Sequence, residues 1–290
     1  MPGFREQMNT FIHAIEGNEA LDGFSAPLAT RIQAATSPDA VKNALSGTWL
    51  GHQLHPVLTD VPIGAWTMAS ALDCIRGDSA AEDARLLVGL GVLAAVPTAV
   101  TGASDWSETY GGAQRVGLVH ALSNSAALVL QTTSWVVRSR GHRRAGVGLS
   151  IAGLAIVSLA SYLGGHLSYV EGVGVNHTAF QPTVKNWTDV AALTELEADS
   201  PLRVSAGKVP VVLVKHEEAI FALSATCVHA GGPLDEGEVL LDGCIRCPWH
   251  GSVFQLAGGA VERGPASMDQ PSWEVKVENE RIFIRSAQVS

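Results

Sequence analysis

Between residues 227 and 252 the chain reads Cys227-Val-His229-Ala-Gly-Gly-Pro-Leu and, with seventeen residues intervening after His229, Cys247-Pro-Trp-His250-Gly-Ser. Each stretch offers one thiolate and one imidazole. The glycines and prolines beside them permit tight turns that aim both side chains inward. Two sulfurs and two ring nitrogens can close a tetrahedral zinc site. They can equally hold an iron-sulfur cluster, with both cysteines on one iron and both histidines on the other. Cys244 forms a Cys-x-x-Cys with Cys247, a spacing found in zinc sites and redox dithiols. Asp242-Gly243 before it reads as a hairpin turn, however, and Cys244-Ile-Arg-Cys247 as the strand leading into the second loop. Cys244 is therefore expected to be a buried strand residue.

Cys-x-His followed by Cys-Pro-x-His-Gly-Ser, continued by Val-Phe-Gln-Leu and by Arg263-Gly264-Pro265-Ala266, closely resembles the Rieske family over about the last 110 residues. The resemblance implies a [2Fe-2S] cluster on a small antiparallel β-sandwich, with Cys227 and Cys247 on the inner iron and His229 and His250 on the outer iron. High-potential members of the family carry an extra cysteine in each loop, paired as a disulfide. Gly232 and Trp249 stand at those places here, as in the ferredoxin-like branch. Ser252 keeps the hydroxyl that in the family bonds a cluster sulfur, whereas Phe254 replaces a tyrosine. Fewer hydrogen bonds to the sulfurs stabilise the reduced state less, so the expected potential lies low in a family range of roughly −150 to +300 mV.

The elements that must carry this site divide the chain of 290 residues unevenly. We read residues 1–50 as an amphipathic helical region, 51–170 as a four-helix transmembrane domain, 171–187 as a linker and 188–290 as the Rieske domain. In the first region Phe11, Ile12, Ile15, Leu28 and Ile32 suggest short amphipathic helices. Ser37-Pro38-Asp39 starts a further helix and Gly47 stops it. This region is expected either along the membrane surface or as a cap on the bundle. Val57–Ile75, Leu86–Ser104, Val116–Val137 and Ala145–Tyr169 each approach the roughly 20 residues that a bilayer core requires. Four such segments in a row predict a multi-pass cell-membrane protein, with small residues letting the helices approach closely. Arg138, Arg140, Arg143 and Arg144 in one loop, with Arg76 and Arg85 in another, predict a cytoplasmic arginine side and an extracytoplasmic Rieske domain. Arg143-Arg144 also resembles a twin-arginine signal. From Val209 onward, short β-branched and aromatic runs at Val209–Lys215, Ala219–Ser224, Val253–Leu256 and Trp273–Arg285 predict strands.

Histidines recur at the helix ends. His55, His120 and His166 are predicted on the side of the bundle to which the Rieske domain is attached, with Asp60 one turn into the first long helix and His52 three residues before His55. Ionisable groups at membrane depth are functional-site candidates. The stretch His52-Gln-Leu-His55-Pro-Val-Leu-Thr-Asp60-Val-Pro-Ile-Gly64, with Gly-Gly-His166-Leu, resembles a family of four-helix bacterial membrane domains sometimes fused to Rieske domains. Two imidazoles from different helices could ligate a b-type haem, and a histidine with a carboxylate could take protons from a quinol.

Together these features predict a membrane-bound electron-transfer protein with an unidentified redox partner. The rival readings are an iron-sulfur sensor and a component of a quinol-oxidising enzyme. A net charge of −9 argues against a nucleic-acid partner. An oxygenase would need two histidines and a carboxylate for mononuclear iron, and none follows the Rieske loops.

Overall fold

A computed structural model describes residues 3–287. It divides into two compact units. One comprises the chain up to Ser37 together with Leu54–Val173, and the other comprises Pro38–Gln53 together with the chain from Gly174.

The first unit is helical. Helices α1 (Phe4–Glu16) and α2 (Asp22–Thr36) precede four long helices. A short helix between them, α3 (Asp39–Ser46), belongs to the second unit. The long helices are α4 (Leu54–Ile75), α5 (Ala81–Trp106), α6 (Gly111–Ser139) and α7 (Arg143–Tyr169). The helical unit thus holds six α-helices among the described residues, seven with α3 counted, more than the four of the expected bundle. Among the described residues, only the segments Gly77–Trp106 and Arg143–Tyr169 are long and apolar enough to cross a bilayer. Helix α4 is diluted by Asp60, Asp73 and two prolines, and α6 by Gln114, Arg115, Asn124, Gln131 and Arg138.

The long helices form two copies of one hairpin. His55 Nδ1 meets Thr98 O at 2.9 Å, with Gly102 beneath the ring; His120 Nδ1 meets Ala160 O at 2.8 Å, with Gly164 beneath it. Three turns further on, Trp66 Nε1 donates to Val88 O against Gly91, and Gln131 Nε2 donates to Ser150 O against Gly153. Residues 55, 66 and 73 of α4 thus correspond to 120, 131 and 138 of α6, a constant shift of 65. Residues 88, 91, 98 and 102 of α5 correspond to 150, 153, 160 and 164 of α7, a constant shift of 62. Each glycine removes the Cβ that would strike the neighbouring side chain, which lets each polar side chain reach a carbonyl on the next helix. The equivalent residues Asp73 and Arg138 meet as a fully buried bidentate ion pair, with Arg138 Nη2 at 2.6 Å, and Arg143 reaches the same carboxylate at 3.0 Å. Two of the arginines counted for membrane orientation are therefore neutralised within the bundle.

The second unit is a β-sandwich. Strands β1 (Thr188–Ala192), β2 (Leu202–Ala206), β3 (Val209–His216), β4 (Ala219–Ser224), β9 (Ser272–Glu278) and β10 (Arg281–Ser286) form one antiparallel sheet in the order β1-β10-β9-β4-β3-β2. Strands β5 (Glu238–Leu240), β6 (Cys244–Arg246), β7 (Val253–Gln255) and β8 (Val261–Arg263) form the other in sequential order. The near-continuous apolar run of β3 follows from burial on both faces. Val212 and Val214 join Leu223, Ile245 and Phe254 between the sheets, while Val211 and Leu213 join Trp273, Ile282 and Ile284 behind them. The last hairpin turns through Asn279 and Glu280 with φ of 50° and 60°, as a two-residue primed turn requires.

Helix α3 belongs to the β-sandwich unit and packs on it. Asn43 Nδ2 donates to Glu262 O and Asn43 Oδ1 accepts from Gly264 N, both at 2.9 Å, and Arg263 Nε bonds Asp39. A Cβ on Gly264 would stand 2.8 Å from Ser46 Oγ, so this glycine lets the helix seat against the strand end.

Candidate metal centre

The two ligand loops are built alike. The first connects β4 to β5 and the second connects β6 to β7. In each, a glycine four residues after the cysteine adopts a left-handed conformation, Gly231 at φ 76° and Gly251 at φ 70°. Each returns its N–H to the cysteine carbonyl, Gly231 to Cys227 at 2.9 Å and Gly251 to Cys247 at 3.1 Å. The turn directs backbone N–H groups at each sulfur, from His229 and Ala230 to Cys227 and from Trp249 and His250 to Cys247. Such donors stabilise negative charge on sulfur.

The loops converge. Both cysteines are buried, and the Cys227 thiol donates to Cys247. That contact lowers Cys247 to about 7, whereas its donation to Cys247, together with burial, pushes Cys227 up. The His229 and His250 rings stand edge to face with centroids 4.8 Å apart. Burial, then the neighbouring His250, holds His229 down at about 3, so its ring is neutral and its nitrogens can act as ligands. His229 Nδ1 is buried with no hydrogen-bond partner among the described residues, as a metal-ligating atom would be in the absence of its metal. Two thiols and two neutral imidazoles on paired loops fit a [2Fe-2S] cluster held by cysteine on one side and histidine on the other.

The remaining residues singled out by sequence fall around this centre. Gly232 lies where a Cβ would be 3.1 Å from both Cys247 Sγ and the Trp249 ring, and none of the four cysteines is in a disulfide. The places of the family's extra cysteines are therefore neighbours in space, filled here by an indole over a glycine. Ser252 is buried and its Oγ accepts from Ala266 N at 3.0 Å, leaving its proton free for another acceptor. Phe254 is fully buried in the core. Cys244 sits on β6 beside Asp242, away from the ligand loops, and burial pushes its thiol up to about 11.

Two residues position the ligand loops, and the first of them, Gln270, escaped the sequence reading. Gln270, fully buried, accepts from Val228 N at 3.0 Å and donates to Ser224 O at 2.6 Å and Thr226 O at 2.7 Å, so it staples the backbone between Cys227 and His229. Arg263 donates to Gly251 O, next to His250, and links that loop to α3. Gln270 gives no sequence signal beyond being an amide near the chain end; the Arg263-Gly264-Pro265 motif did draw attention to Arg263.

The bundle histidines are each engaged separately. His55 and His120 bond the carbonyls described above, and Asn124 Nδ2 lies 3.1 Å from His120 Nε2. His166 Nε2 instead lies 3.0 Å from Glu16 Oε1, so the three imidazoles do not form one hydrogen-bonded group. Asp60 is exposed, and His52 Nδ1 faces only the Gln53 carbonyl in the other unit.

Residues 186–274 match the family described as Rieske [2Fe-2S] domain, and residues 51–177 match the family described as Predicted membrane protein (DUF2231). Apoptosis-inducing factor 3 of Homo sapiens is 36% identical over 98 residues, 34% of this chain and 16% of that protein. The chain thus spans only a small part of that relative's length. The anthranilate 1,2-dioxygenase ferredoxin subunit of Burkholderia cepacia is 26% identical over 104 residues, 36% of this chain and 95% of the subunit. Among solved structures, the ferredoxin of carbazole 1,9a-dioxygenase from Nocardioides aromaticivorans IC177 is 25% identical over 36% of this chain and 100% of its own, with a TM-score of 0.34.

Proposed function

For a chain that joins a DUF2231 domain to a Rieske [2Fe-2S] domain, we propose the role of a membrane-bound one-electron carrier. The observation that carries this reading is the convergence of Cys227, His229, Cys247 and His250 from two equivalent loops. Cys227 and Cys247 would hold the inner iron, and His229 and His250 the outer one. When bound, the cluster supplies reversible one-electron chemistry. The chain's own contribution is to aim backbone N–H groups at both cysteine sulfurs, to keep His229 neutral and to brace the loops through Gln270 and Arg263.

Support for the membrane placement comes from the exposed apolar faces of the long helices. Leu86, Leu90, Leu93, Val96 and Val100 run along the outside of α5 and Ile151 and Leu159 along α7, a pattern that lipid satisfies and water does not. The relative named as the ferredoxin subunit of anthranilate 1,2-dioxygenase supports a redox enzyme as partner. On the donor side we place a quinol or a b-type haem near His55 and His120. Each of these holds its Nδ1–H on a carbonyl, so Nε2 is the lone-pair nitrogen of a neutral ring, and in His120 that nitrogen accepts from Asn124 Nδ2. The loop arginines not engaged by Asp73, namely Arg76, Arg85, Arg140 and Arg144, support a Rieske domain outside the cytoplasm.

The test is the electron paramagnetic resonance spectrum of the reduced, purified protein. Histidine ligation of one iron produces the Rieske pattern, and His250→Cys abolishes it while leaving iron bound. A colourless protein holding stoichiometric zinc after anaerobic iron reconstitution would overturn the reading.

A further inference from the structure

We infer that Glu16, His166 and Glu171 form a binding site for one divalent first-row transition ion, separate from the iron-sulfur centre. The three come from different elements of the helical unit: the last residue of α1, the last turn of α7 and the segment just beyond it. One ligand atom from each, the His166 ring nitrogen and one oxygen from each carboxylate, lies within 4.8 Å of the others. His166 Nε2 stands 3.0 Å from Glu16 Oε1 and 3.5 Å from Glu171 Oε1, and the two carboxylates are themselves in hydrogen-bond contact.

Glu16 and Glu171 each turn one carboxylate oxygen toward the His166 ring, and His13 holds the other oxygen of Glu16. The Arg115 guanidinium is engaged elsewhere. Arg115 spends Nε and Nη2 on Asp22, at 2.7 and 2.6 Å, and Nη1 on the Glu16 backbone carbonyl at 2.5 Å. Its effect is to fix the end of α1 against α6 while leaving the Glu16 side chain pointed at His166. The other end is fixed as well. Val170 N and Glu171 N both return to the His166 carbonyl, at 2.9 and 3.2 Å, which folds the chain back and sets Glu171 beside the ring. His13 Nδ1 binds the remaining oxygen of Glu16 at 2.8 Å, the kind of bracing that ligating carboxylates receive in metal sites. An ion between the three ligand atoms would be reached by all three at once, in place of the paired contacts they make with one another. The donor set, one borderline nitrogen and two hard oxygens, suits Zn²⁺, Mn²⁺ or Fe²⁺, and the partial exposure of Glu171 leaves room for water in the remaining positions.

The experiment titrates zinc chloride into the full chain, carrying its cluster in detergent and washed with chelator, while iron and zinc are counted together. The expected result is one zinc per chain in addition to the cluster iron. His166→Gln and Glu171→Gln should each weaken binding at least tenfold, and His13→Gln by about tenfold, the usual scale for a bracing partner. Glu171 lies beyond the helix end, so Glu171→Gln separates lost binding from lost folding, with helical circular dichroism and the cluster's visible spectrum as controls. Absence of zinc beyond the iron site would overturn the inference and leave an ion pair only. So would zinc affinity unchanged in His166→Gln and Glu171→Gln.

Discussion

Replacing Gln270 by methionine keeps the side-chain volume and removes every hydrogen bond that this residue makes to the first ligand loop. The Val228 N–H and the carbonyls of Ser224 and Thr226 lose their bonds to a side chain that is only 1% exposed. A typical hydrogen bond is worth about 1 kcal/mol net, and a buried group left without a partner costs about 1–3 kcal/mol. Three lost bonds, with the Val228 N–H certain to be orphaned, give about 3–5 kcal/mol. For a domain of this size each kcal/mol corresponds to roughly 4–8 °C. The midpoint for thermal loss of the cluster's visible absorbance should therefore fall by at least about 12 °C. Gln131→Met provides the control, because Gln131 is equally buried but bonds only Ser150, in the bundle. It should weaken the helices and leave the cluster midpoint in place. A Gln270→Met protein that bleaches within a few degrees of the parent would refute the stapling argument, as would an equal shift from Gln131→Met.

Asp73→Ala should cost about 3–5 kcal/mol of bundle stability, because it strands the buried Arg138 without its carboxylate. Thermal unfolding in detergent, followed at a helical wavelength, measures this, and the spectrum of the loaded cluster should not change. Asn43→Leu removes two backbone-directed hydrogen bonds and should cost about 1–2 kcal/mol. Hydrogen exchange should then speed up across Asp39–Ser46 and leave α4 to α7 unaffected; unchanged exchange in α3 would mean that it is held by other contacts.

The ligand loops were legible because their chemistry is local: cysteine, histidine and turn-forming glycine lie within a few residues of one another. Strands β3, β4, β6, β7 and the β9–β10 stretch were legible for the same reason, since period-two patterning acts over short range, whereas β1, β2, β5 and β8 were not read. What stayed hidden depends on distance. Nothing in Asp39–Ser46 announces that its polar face meets Glu262–Gly264, more than two hundred residues away. Arg138 looked like a loop arginine until Asp73, 65 residues earlier, proved to be its partner. The paired hairpins share few residue types. Trp66 answers to Gln131 and Thr98 to Ala160, so the equivalence lies in which carbonyl each side chain reaches and which glycine makes room for it.

That equivalence bears on how such a bundle can arise. Equivalent residues touch each other only on the axis relating the two copies, and Asp73 with Arg138 is such a contact. Were the hairpins two identical chains, this position would confront itself, aspartate against aspartate or arginine against arginine, and a buried like-charge pair repels. Attraction there requires the copies to differ, and they can differ because both are written into one polypeptide. The ion pair is thus a contact that two identical hairpins could not make, and it ties the last turn of α4 to the last turn of α6.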